Sequence, residues 1–207
     1  MSLCYYRRTF FRRLIPMKML RLTTLALIFC GLSSQLHAND VELALSKDTA
    51  QFTFRSDSSM IGWGGADLAF SLFFNDNDDV LGQISLLQLR PPSEQNPVSL
   101  GVGAKFYVGT LDNPSSNILA LAISGEVRYT FPGQMPMAIY LNGNWAPDIT
   151  SFSDTKEVLD FNLGYQIEVL PQTTAFIGYR RLEVDTKQQN DVRLDDDQIH
   201  IGVRFTF

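Results

Sequence analysis

The chain has 207 residues, and its first 38 hold six of the 17 basic residues and none of the 22 acidic ones. The rest sets 11 basic against 22 acidic residues, a net charge of −11. That balance excludes general nucleic-acid binding, which needs surplus Lys and Arg to displace counterions from phosphates. Cys4, Cys30 and one of the two histidines fall in the leader, so beyond it disulfides, thiolate zinc sites, thiol nucleophiles and a His-rich metal site are excluded.

The leader carries Arg7, Arg8, Arg12, Arg13, Lys18 and Arg21 ahead of an apolar run over 22–32. Ser33-Ser34-Gln35-Leu36-His37-Ala38 follows, an order that predicts a secretory signal peptide cut after Ala38. A spanning helix would need about 20 apolar residues, roughly twice this run. The bulky Phe29 before Cys30 argues against a lipid anchor there. Met17-Lys18-Met19 makes a more usual start than Met1. The expected organisation is a signal peptide over 1–38 and one domain over 39–207.

From Asn39 onward the pattern is period two. Segments 41–46 and 49–55 predict a short hairpin turning at Lys47-Asp48, and 60–74 predicts the next strand. In 79–90, Ile84 and Leu86 share one phase while Leu87 and Leu89 take the other, so its faces stay open and a bulge is one solution. In 98–110, Leu100, Val102, Phe106 and Val108 oppose Ser99, Gly103, Lys105 and Tyr107. In 118–131, Leu121, Ile123, Val127 and Tyr129 oppose Ala122, Ser124, Glu126 and Arg128. A strand at 136–146 precedes 158–169, where Leu159, Phe161, Leu163 and Tyr165 oppose Asp160, Asn162, Gly164 and Glu168. After 172–184 the last strand, 199–207, sets Ile199, Ile201, Val203, Phe205 and Phe207 against His200, Gly202, Arg204 and Thr206.

The count is ten strands, or eight if the first hairpin stays apart. Connections at 75–79, 110–117, 147–156 and 185–197 are polar, acidic or long, and those at 131–135 and 170–172 are short. Arg90 to Pro97 is a longer, Pro-rich exception. Short turns on the side of the termini and long loops opposite belong to outer-membrane barrels. A secreted sandwich would also alternate. Here, however, the second face is rich in small residues with isolated charges of both signs: Lys105, Glu126, Arg128, Asp160, Glu168, Arg180 and Arg204. A narrow lumen needs that mixture, since facing charges must pair and bulk must be offset by glycine. The apolar face ends in Phe106, Tyr129, Phe131, Trp145, Phe205 and Phe207, as at bilayer interfaces. The expected fold is all-β, a transmembrane antiparallel up-and-down β-barrel in the outer membrane. The alternating end with Phe205 and Phe207 resembles the signal read by the barrel assembly machinery. Expected partners are that machinery, periplasmic chaperones, outer-membrane lipid and lipopolysaccharide.

Three stretches carry a closer likeness. The opening Val41-Glu42-Leu43-Ala44-Leu45-Ser46, the strand Ile177-Gly178-Tyr179-Arg180 and the closing 201–207, with the chain's size, resemble the YfaZ family of Gram-negative outer-membrane proteins. The resemblance implies location and fold. No catalytic motif defines that family, so it carries over no functional residue.

Chemistry is sparse. His200 is the one histidine beyond the leader, sits in the lumen phase and has no nearby Ser. It reads as a hydrogen-bonding lumen residue rather than the base of a lipid-modifying enzyme. The runs 76–79 and 195–197 lack calcium-loop spacing and read as solvated outer-loop charge. No metal site and no cofactor is expected. Lys105, Arg128, Arg180 and Arg204 roughly balance Glu126, Asp160, Glu168 and Asp67. Near-balance in a barrel of eight to ten strands favours a plugged or very narrow lumen. It points to a non-enzymatic structural or surface-binding protein, with a narrow small-solute channel as the alternative.

Overall fold

The computed structural model describes residues 39–61, 65–93, 96–112, 115–133, 135–189 and 192–207. The leader, with the cleavage expected after Ala38 and the start at Met17, lies outside the described residues.

Among the described residues eleven strands form one antiparallel sheet. They are β1 (Asp40–Leu45), β2 (Thr49–Asp57), β3 (Asp67–Asn75), β4 (Val80–Leu89), β5 (Val98–Leu111), β6 (Ser116–Phe131), β7 (Met137–Ala146), β8 (Ser151–Ser153), β9 (Thr155–Leu170), β10 (Thr173–Thr186) and β11 (Val192–Thr206). β7 and β8 share one place in the sheet, because β7 pairs with β6 from Ile123 onward and β8 pairs with Ile118, Leu119 and Ala120 of the same strand. The barrel therefore has ten positions. It closes where β1 meets β11, with Asp40 opposite Thr206 and Leu45 opposite Ile201. The first hairpin is part of the wall, which removes the eight-strand alternative.

Alternation sets the faces as the sequence predicts in 98–110, 118–131, 158–169 and 199–207. Leu100, Val102, Leu121, Ile123, Leu163, Ile177 and Ile201 are exposed on the outside, while Ser99, Ala122, Ser124, Glu126, Asp160 and His200 are buried inside. An apolar belt around the whole barrel exceeds the few hundred Å² that a soluble monomer leaves open.

Four local readings change. β3 begins at Asp67, not at 60, and Ser58–Ile61 form a 3-10 turn. β4 keeps one register with both neighbours and has no bulge. Leu81 and Leu87 are simply lumen residues, which is why the apolar phase looked broken. The segment 147–156 contains β8 and the start of β9. The run 185–197 is mostly strand, and Asp195, Asp196 and Asp197 lie in β11 where its pairing with β10 shifts register twice. The side chains of that run lie outside the described residues.

These extensions reverse the loop asymmetry. At the end away from the termini the connections are 46–48, 76–79, 112–115 and 187–191, besides the β7–β9 link. At the end of the termini, 58–66 and 90–97 are the long ones. Length was spent on strand instead: β6 and β9 each have 16 residues, against about 9–11 needed to cross a bilayer. The 76–79 turn is tight. Asn75 Oδ1 accepts from the backbone N–H groups of Asn77 and Asp79 at 3.1 and 3.0 Å, and Asp78 takes a φ of 62°. Asp79 is buried, not solvated, and accepts from Asn75 Nδ2 and the Asp112 N–H, each at 2.8 Å.

Candidate functional site

The barrel interior changes character along its length. Toward the termini it is polar. Toward the other end Phe73, Leu81, Leu111, Ile118, Val158, Leu182, Val184 and Leu194 form one buried apolar cluster with the small Ala120, Ala122 and Ala146. Val158 and Val184 are 0% exposed, so water does not reach the middle of this cluster. The cluster forms an apolar side-chain layer, the seal, and barrels of this strand number fill much of their interior with side chains in this way.

β10 shows the change within one strand. Its inner face reads Phe176, Gly178, Arg180, Leu182, Val184, and its outer face Ile177, Tyr179, Arg181, Glu183, Asp185. Below Arg180 the strand is apolar outside and mixed inside. Above it the strand is charged outside and apolar inside, as in a water-soluble sheet.

The charges of the lower part fall into separate groups. Lys105 Nζ donates to Asp160 Oδ2 at 2.8 Å, and the buried Tyr107 hydroxyl donates to the same oxygen at 2.7 Å. Asn144 Nδ2 reaches it at 3.2 Å. These residues sit directly under the seal, and Tyr107 belongs to both regions. Arg128 Nε and Nη2 donate to Glu126 Oε1 at 3.0 and 2.7 Å. Arg204 Nε and Nη2 donate to Glu42 Oε2 at 2.9 and 2.8 Å, across the strands that close the barrel. Arg180 donates to Gln51 Oε1 and, at 3.3 Å, to Thr49 Oγ1, and its guanidinium lies 5.0 Å from the centre of the Phe73 ring. Glu168 stands apart at the terminal rim, where its Oε1 accepts from the Gln172 N–H at 3.3 Å. Phe205 and Phe207 are exposed on the outer face, 53% and 62%. Backbone N–H and C=O groups of Phe207 and Asn39 bond reciprocally at 2.9 and 3.0 Å.

Sequence reasoning missed Glu42, Arg55, Tyr107 and the amide ladder of Asn142 and Asn144. Glu42 does alternate with Leu43 and Leu45, but six residues of strand are a short signal. The amides are uncharged and drew no notice. His200 also differs from its reading. It is buried, its Nδ1 has no hydrogen-bond partner, and its ring meets Phe176 edge-on at 5.9 Å. No serine hydroxyl bonds to it among the described residues.

The polar part contains cavities, two of which share Arg55 and Asp67. An inner chamber of about 100 Å³ touches Arg55, Asp67, Asn142 and Asn162. A mouth of about 430 Å³ at the end of the termini touches Asp40, Arg55, Asp67, Arg128, Arg204 and Thr206.

A family model described as YfaZ precursor matches residues 17–207. The chain belongs to this family. No curated protein matches it. Among solved structures it is similar to the NanC porin in a rhombohedral crystal form, at 14% identity over 82% of this chain and 100% of that one, with a TM-score of 0.44. It is also similar to the outer membrane channel DcaP of Acinetobacter baumannii, at 10% identity, 80% and 54% coverage and a TM-score of 0.40. The chain spans about half the length of that protein. The outer membrane protein Omp33 of the same organism matches at 9% identity, 83% and 98% coverage and a TM-score of 0.37.

Proposed function

We infer that this YfaZ-family chain is an exported outer-membrane barrel without enzymatic activity, whose lumen is closed at the end away from the termini. Its part in the envelope is structural, with surface binding confined to short outer connections. The observation that carries the reading is the apolar seal, since a conducting lumen would wet Leu182, Val158 and Val184 instead of burying them. The outward apolar belt supports the location. The reading makes outer-membrane lipid and lipopolysaccharide its surroundings and the barrel assembly machinery and periplasmic chaperones its partners during biogenesis.

Planar-bilayer recording tests the closure. The purified wild type should show no stable conductance, or one far below that of a general porin. A large, ion-selective current would replace this reading with that of a small-solute channel, which the charged mouth favours. Fractionation tests the location: the protein should float with outer membranes and migrate heat-modifiably on gels. Recovery as a soluble periplasmic protein would end the barrel reading.

A further inference from the structure

The two cavities share opposite charges, Arg55 and Asp67, that the lumen uses little. Arg55 makes one long contact, 3.5 Å from Nη2 to Glu42 Oε2, an oxygen that already accepts two shorter bonds from Arg204. Arg55 Nε is buried with no partner. A guanidinium carries five N–H donors in a fixed fork, so most of its capacity is left without a protein partner, and the residue lines the chamber. On the next strand Asp67 has neither a hydrogen bond nor an ion pair among the described residues, and it lines the same chamber and the same mouth. Arg55 and Asp67 do not bond each other. Glu42 is held by Arg204 and Glu126 by Arg128, while Asp40, opposite Arg55 in the β1–β2 register, lines the mouth without an ion pair among the described residues. Deeper in, Asn162 Oδ1 is a buried acceptor with no donor.

Arg55 Nε and Asn162 Oδ1, buried and unmatched, are costly unless something fills them, and Asp67 stands exposed at the mouth with its charge unpaired among the described residues. A bare anion would meet Asp67, and a bare cation would meet Arg55. A molecule with both charges satisfies both. We propose that the chamber and mouth form a binding site, open at the end of the termini, for a small zwitterion of the amino-acid or dipeptide class. Its carboxylate lies on the Arg55 fork and its ammonium on Asp67, and a dipeptide offers its peptide N–H to Asn162 Oδ1. Arg128 and Arg204 at the mouth add positive potential for the incoming carboxylate. The site rests on the reading that the lumen is blind, because the ligand enters and leaves by the same opening.

The test uses the full mature barrel in detergent micelles, with glycylglycine as probe and binding read by calorimetry. Glycylglycine should bind. N-acetyl-glycylglycine, which lacks the ammonium, and glycylglycine amide, which lacks the carboxylate, should each bind at least about tenfold more weakly. R55Q and D67N should each lose a similar factor while remaining heat-modifiable on gels. Should R55Q fail to fold, D67N decides, since Asp67 makes no hydrogen bond or ion pair among the described residues. No binding of glycylglycine, equal binding of a blocked peptide, or an unaltered D67N would each overturn the proposal. A non-conducting barrel that binds none of the peptides removes this site and leaves the closed-barrel reading in place.

Discussion

Glu42 on the first strand of the barrel and Arg204 on the last are partners twice over: they stand opposite in the β1–β11 register, and two hydrogen bonds of 2.9 and 2.8 Å join their side chains inside the lumen. Both side chains are nearly buried, at 11% and 12% exposure. Removing one partner leaves the other a single longer contact, Arg55 at 3.5 Å for Glu42 or Gln166 at 3.4 Å for Arg204, at a cost of about 3 kcal/mol. E42Q and R204Q should each lower the unfolding free energy in urea titrations by that order. The double variant should lose less than the sum of the two. Simple additivity would mean that the pair does not couple the closing strands. The Glu126–Arg128 pair should behave in the same way.

Leu121 and Leu163 are 44% and 43% exposed on the outer face. Arg at either position should destabilise the barrel by about 2–4 kcal/mol if it lies near the bilayer midplane. At the inward Ala122, Arg should instead fail by overcrowding the lumen. Cysteines placed at 121 and 163 should resist a water-soluble maleimide in intact membranes, and a cysteine at exposed position 112 should react. Ready labelling at 121 or 163 would reverse the face assignment.

Gly164 lets the Tyr140 ring lie flat against β9, because a Cβ at 164 would collide with the ring at its Cζ and hydroxyl. G164A should therefore cost about 1–3 kcal/mol, the usual range for overpacking. Y140L shortens the side chain and should recover part of that loss in the double variant. Lack of any recovery would place the strain in the backbone rather than against the ring.

Polar, shorter side chains within the seal should let water in. L182S combined with V158S should raise single-channel conductance over wild type while the barrel stays heat-modifiable. An unchanged current in a folded double variant would show that the barrier lies elsewhere in the lumen.

The fold was legible because lipid and lumen impose opposite demands on alternate residues. Lys105 with Tyr107, Glu126 with Arg128 and Asp160 with Asn162 hold the inner phase for whole strands. Legibility failed where both faces carry the same chemistry. In β4, Leu81 and Leu87 are apolar inside and Ile84 is apolar outside, so period two vanishes from hydropathy although the backbone keeps it. At the end of β10 the outward Glu183 and Asp185 are charged, and β11 carries the acidic run 195–197 in its sequence, so this stretch reads as loop. The charges of the interior could be placed on a face by phase alone. Their partners could not, because Glu42 with Arg204 and Lys105 with Asp160 are joined by closure and shear, which no local spacing encodes.

The reversal of polarity along β10 works as a depth gauge. A strand rises about 3.4 Å per residue, so sinking the barrel by two residues would carry Arg181, and then Glu183, toward hydrocarbon. Lifting it would bring Tyr179 and Ile177 into water. Each direction is opposed, and the chain has one preferred immersion rather than a range. A thicker bilayer must then thin around this wall or tilt the barrel, so the protein reports, by its own stability, the thickness of the membrane that holds it.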